Sequence, residues 1–163
     1  MKLFKHMAFF GILVGFCVLG LQDSALGAVK LVKSQTVFIP SYANVVSGPP
    51  LRMSVTLRAN LIINNTDPSH PITIVSIDQY DTEGKLAERY APQPIKLNPQ
   101  AATRIIMKDP KQENAGIGTN FVVTWQAETK VTEPIIDCFM LGSMGNQGFS
   151  FTAQSRVIKE ETD

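Results

Sequence analysis

The chain has 163 residues, of which 44% are hydrophobic, 8% aromatic and 18% charged, with a formal net charge of +1. A chain of this length suits one domain that buries roughly 65–70% of its unfolded surface. Basic and acidic residues become equal in number once Lys2, Lys5 and Asp23 leave with an N-terminal leader. That balance argues against nucleic acid as a partner, because phosphate binding needs a basic surplus or stripe.

Residues 1–27 read as a signal peptide. Lys2, Lys5 and His6 form a basic start, Met7 to Leu21 is apolar, and Ala25-Leu26-Gly27 supplies small residues for cleavage before Ala28 or Val29. The apolar run is short of the roughly 20 residues that span a bilayer, so a retained membrane anchor is the less favoured reading. Cys17 lies inside that run behind Phe16, which disfavours a lipoprotein anchor. The expected address is the periplasm or the exterior. The exported chain keeps one cysteine, Cys138, so it has no internal disulfide. Cys138 is expected to be buried as a small apolar residue.

Residues 28–34 read as a short linker and 35–158 as one β domain, with 159–163 a frayed tail. Thr36 to Pro40 is a short strand. From Met53 to Ile63 every odd residue is apolar, while Ser54, Thr56, Arg58 and Asn60 alternate with them. This period of two marks a strand with one buried face. Asn64 to Pro68 ends it, and Asn64-Asn65-Thr66 also fits a glycosylation sequon. Ile72 to Tyr80 is the next strand, closed by a type I turn at Asp81-Thr82-Glu83-Gly84 before a return strand, Lys85 to Tyr90. Pro92, Pro94 and Pro99 make an irregular or edge segment. Ala101 to Met107 and Asn120 to Gln126 are strands around a polar loop, Lys108 to Gly118. The last two strands, Pro134 to Leu141 and Phe149 to Ile158, flank a glycine-spaced loop, Gly142 to Gly148. No segment after the leader has a helical period. The expected fold is all-β: a single immunoglobulin-like antiparallel β-sandwich of about seven to nine strands, preceded by a signal helix, with a small closed barrel as competitor.

The strand Pro134–Leu141 departs from the rest. Ile136, Cys138 and Met140 are apolar, and so are Ile135, Phe139 and Leu141 on the alternate positions. Either the N-terminal segment or a loop covers its second face, which is the preferred reading, or that face docks a partner.

Recognisable catalytic chemistry is missing. Cys138 sits mid-strand, where desolvation disfavours a thiolate, and nothing brings His70 to it. A serine triad would also have only His70 as base, without a strand–turn–helix elbow. Asp67, His70, Asp78 and Asp81 have the chemistry of metal ligands, but the Ile72–Tyr80 strand separates the first two from Asp81 by roughly 25–30 Å. A weak calcium site among Asp78, Asp81 and Glu83 lacks EF-hand spacing, and Asp81 more simply caps a turn, as Asp67 before Pro68 makes an Asx bend. No metal and no cofactor are therefore expected. The Gly142–Gly148 loop precedes a strand rather than a helix and cannot be a phosphate cradle. If Ala91–Gln100 acts as one turn, the loops Asp81–Gly84, Lys108–Gly118 and Gly142–Gly148 share one end of the domain. A separate strand at Pro94–Leu97 is expected to reverse that parity.

The block Asn65-Thr66-Asp67-Pro68-x-His70-Pro71-Ile72-Thr73-Ile74, followed by Ser76-Ile77-Asp78-x-Tyr80-Asp81-Thr82-x-Gly84-Lys85-Leu86, resembles a bacterial family of exported proteins, domain of unknown function 3124. Gly118 to Val123 with Trp125, Pro134-Ile135-Ile136 and Gln147-Gly148-x-Ser150-Phe151 extend the resemblance over about Ser34 to Ile158. The resemblance implies export and supports the fold, and it lends no catalytic residue, cofactor or partner. The function expected is therefore a non-catalytic binding or interaction module of the bacterial envelope, with an envelope protein or other envelope component as partner. Its candidate residues are Ile135, Phe139 and Leu141, or Asp78, Tyr80 and Asp81 at the loop end. A small-ligand or metal-binding module using the acidic loop residues is the alternative.

Overall fold

In the computed structural model, which describes residues 29–49, 54–107 and 118–162, the alternation seen in the sequence becomes the inside and outside of two sheets. In the long strand β3 (Ser54–Asn64), Leu57, Ala59, Leu61 and Ile63 are buried, while the residues between them face outward. The expected signal helix and the residue Met53 fall outside the described residues.

Among the described residues eleven strands form, more than the seven to nine expected, and no helix is present. The first sheet has the order β11 (Arg156–Glu161), β1 (Leu31–Ser41), β8 (Thr119–Thr132), β4 (Ile72–Tyr80), β5 (Leu86–Arg89), with β6 (Ile95–Leu97) also on β4. The second has the order β10 (Gln147–Ala153), β9 (Ile135–Met144), β3, β2 (Asn44–Val46), with β7 (Ala102–Ile106) also on β3. Every pairing is antiparallel. The buried faces of both sheets share one core. Val37, Ile39, Ile74, Ile77, Phe121, Val123 and Trp125 come from the first sheet, and Leu57, Leu61, Ile63, Ile136, Cys138 and Met140 from the second. This is a sandwich-like arrangement, in which each sheet hides its apolar face against the other.

Four features differ from expectation. The stretch 28–34 is not a linker beyond Lys30: β1 begins at Leu31, and Val32 is wholly buried opposite Val131. Residues 159–161 are not frayed, because they pair with Ser34, Gln35 and Thr36 of β1. Glu160 is further held by Lys30 and by the buried Gln35, whose Nε2 also donates to Glu133 at 2.7 Å. The stretch expected as one strand from Phe149 to Ile158 is two, because the chain leaves the second sheet after Ala153 and joins the first at Arg156. The chain likewise crosses between sheets after β1, which adds the short β2.

The Gly142–Gly148 loop is also a tighter structure than its composition implies. Strand pairing continues to Met144↔Gln147, leaving Gly145 and Asn146 as a two-residue turn. Gly145 takes φ 59° at the first central position, which fits a type II′ hairpin. Within β4 a register shift between Ile74 and Ser76 places Val75 at a bulge. The buried residues then change from the alternate Ile72 and Ile74 to the consecutive Ile77, Asp78 and Gln79. After that bulge Asp78 and Tyr80 alternate with Ile77 and Gln79 along the strand, Asp78 buried at 9% exposure and Tyr80 half-buried.

Candidate functional site

On β9 the even residues Ile136, Cys138 and Met140 enter the core, and the odd residues project from the outer face of the second sheet. The expected covering of that face is absent among the described residues: Ile135 is 52% exposed, Phe139 36% and Leu141 51%. The neighbouring strands extend the row. Asn60 lies between Phe139 and Ile106, and Arg58 lies opposite Leu141, with Ser150 on its other side. Ile106 is itself 63% exposed, so the face carries separated apolar side chains among amides, hydroxyls and Arg58. At its upper end a groove of about 470 Å³ is lined by Thr56, Arg58, Leu141, Gly142 and Ser143. Gly142 is packed tightly there. A Cβ at this position would lie 2.8 Å from the Thr56 carbonyl oxygen and from methyl groups of Val55 and Leu57.

The second candidate set, Asp78, Tyr80 and Asp81, lies at the end of β4 on the opposite sheet. Asp78 opposes Val122 across the pair with β8 and Arg89 across the pair with β5, and its Oδ1 accepts from Arg89 Nε at 2.8 Å. Asp81 accepts from the backbone N–H groups of Glu83 and Lys85, both at 2.9 Å, so its carboxylate closes the turn as the sequence implied. Tyr80 is half-buried between Asn120 and Leu86. Among the described residues no three His, Cys, Asp or Glu side chains group to hold a metal ion.

The end-of-domain geometry has a simple cause. β6 is a separate strand, yet it runs in the same direction as β5 along one edge of β4, so the parity of the later strands is not reversed. Tyr80 aligns with Asn120, Ser41 with Thr119, and Leu57 with Gly142, while Leu57 N–H donates to the Ala43 carbonyl. The Asp81–Gly84 turn, Gly118 and the Gly145-Asn146 turn therefore share one end; residues 108–117 lie outside the described residues.

At the other end, Asn65-Thr66-Asp67 forms a polar knot whose scale sequence reading missed. Asn65 is buried; its Nδ2 donates to the carbonyls of His70 and Asn98, both at 2.9 Å, and its Oδ1 accepts from Asp67 N–H. Thr66 Oγ1 donates to the Glu133 carbonyl at 2.7 Å. Asp67 accepts from the N–H groups of Ser69 and His70, from His70 Nδ1 and from Thr132 N–H. Burial opposes ionisation of Asp67, but the hydrogen bonds from Thr132, Ser69 and His70 outweigh it and hold the carboxyl at about 2. The available signal was the density of Asn, Thr and Asp before Pro68. These side chains tie a sheet connection to the β8–β9 turn, and they are structural. Cys138, by contrast, has its thiol pushed up to about 11 by burial, which disfavours a nucleophilic thiolate.

No curated protein sequence matches the chain. The crystal structure of Thermotoga maritima 1070 aligns with a TM-score of 0.43 and 13% identity, covering 79% of this chain and 97% of that one. The model of the family described as protein of unknown function (DUF3124) matches residues 34–158, a span that runs from β1 into β11 and takes in both candidate faces. The chain belongs to that DUF3124 family.

Proposed function

We propose that this protein is an exported, non-catalytic interaction module of the bacterial envelope, with an immunoglobulin-like sandwich as scaffold. The observation that carries the reading is the outward row of Ile135, Phe139 and Leu141 on a strand whose alternate residues already fill the core. A solvated outer face gains nothing from three large apolar side chains, whereas a protein or other envelope component docking there would remove them from water. The leader-like residues 1–27 support delivery to the periplasm or the exterior. Small-ligand or metal binding at Asp78, Tyr80 and Asp81 ranks second, because Arg89 engages Asp78 and the turn's own backbone engages Asp81.

The test is affinity capture from the native envelope with the wild-type protein and a Phe139→Ser/Leu141→Ser variant of unchanged melting temperature. Loss of the captured component in the variant supports the reading, and undiminished capture overturns the face. A large rise in melting temperature with calcium, zinc or copper would favour the second reading instead.

A further inference from the structure

We propose that two copies of this chain pair through β10, antiparallel, about a two-fold axis at Ser150. Among the described residues the two sheets present four edges, and three are defended. β11 carries Arg156, Lys159, Glu160 and Glu161, and its register with β1 shifts at Thr36/Val37. The far edge of the first sheet is broken between β5 and β6, with Pro92 and Pro94 in the gap. The far edge of the second sheet is broken between β2 and β7. Charges, bulges, interruptions and prolines are the devices that stop an edge from recruiting another strand. β10 has none of them. Its seven residues, Gln147 to Ala153, include no charge and no proline, and its register with β9 is unshifted.

The hairpin decides what this edge offers. Met144 and Gln147 flank the two-residue turn and form a hydrogen-bonded pair, so Gln147, Phe149, Phe151 and Ala153 direct their backbone groups toward β9. Gly148, Ser150 and Thr152 direct theirs away from it, where no described strand takes them. Phe149 and Phe151 lie on the side of their partners Gly142 and Met140, the side that faces the core. With no described strand beyond β10, Phe151 is 41% exposed.

A second β10 completes this edge in one register. With Ser150 opposite Ser150 of the other copy, Gly148 meets Thr152, and all three outward-directed residues fall in hydrogen-bonded pairs. Phe149 then lies opposite Phe151 of the other copy, twice, at the closely spaced positions where cross-strand aromatic pairs gain most. No charge on either strand opposes the approach. This match of β10 to itself selects a second copy over an unrelated extended peptide, which would satisfy the backbone but not pair the phenylalanines. The product is one sheet running through both copies, with both Phe139/Leu141 rows on the same side. The pairing does not depend on what those rows bind.

Sedimentation velocity over a concentration series should show a monomer–dimer equilibrium. Ser150→Lys places two ammonium groups at the axis and should weaken dimerisation by up to roughly fivefold. Amide exchange supplies a second readout that needs no variant. The N–H groups of Gly148, Ser150 and Thr152 should be protected at dimer-forming concentration and exchange freely on dilution, while those of Phe149 and Phe151 stay protected throughout. A monomer at every concentration overturns the proposal. So does a dimer that Ser150→Lys leaves intact, or one in which the Gly148, Ser150 and Thr152 amides exchange as fast as in the monomer.

Discussion

Asp67 keeps its charge in a buried place because four donor groups converge on its two oxygens. Its folded pKa of about 2 lies below its ordinary value, so the unfolded chain binds the proton more tightly. The stabilisation is complete above roughly pH 4 and is lost as pH falls through about 2. Urea denaturation followed by the single tryptophan, the wholly buried Trp125, should show that loss in the wild type. Asp67→Asn should lack this pH dependence and be destabilised at neutral pH by roughly 1–3 kcal/mol, because an amide nitrogen faces donors it cannot accept from. Cys138 makes the complementary case. Its thiol should resist alkylation in the native protein and react at once in denaturant, as a buried apolar residue would.

At the scale of one strand, β9 separates packing from surface between neighbours. Met140 is wholly buried, and Met140→Ala should cost roughly 2–5 kcal/mol. Phe139, one residue earlier, faces outward, and Phe139→Ser should cost under about 1 kcal/mol while changing what the face binds. Gly142→Ala should cost roughly 1–3 kcal/mol, because its Cβ meets the Thr56 carbonyl at 2.8 Å and a backbone oxygen cannot swing aside. Denaturant titration of each variant beside the wild type measures all three costs. Together they distinguish a strand that is apolar because it is buried from one that is apolar on both sides for different reasons.

For the whole molecule, the crossing of the chain between sheets matters most. β11 closes the first sheet by pairing along Ser34–Phe38, so ending the chain after Ser155 should lower the melting temperature by roughly 5 °C or more. A frayed tail would leave it unchanged. Much of the architecture was legible beforehand: the period of two from Leu57 to Ile63, the apolar run of β9 and the breaker clusters at Asn64–Pro68 and Asp81–Gly84 dictated strands and turns through local sterics and burial alone. The residues of β9 that were candidates from the sequence were identifiable because their pattern broke that period. Whether their second face was covered was not identifiable, since covering depends on where distant segments pack. The bulge at Val75, the shared direction of β5 and β6, and the pairing of β1 with β11 were hidden for the same reason. Local chemistry thus determined which residues alternate in and out and where the chain turns. Only the tertiary structure decided which edges and faces remain open, because hydrogen bonds between strands and burial between sheets join residues more than a hundred positions apart.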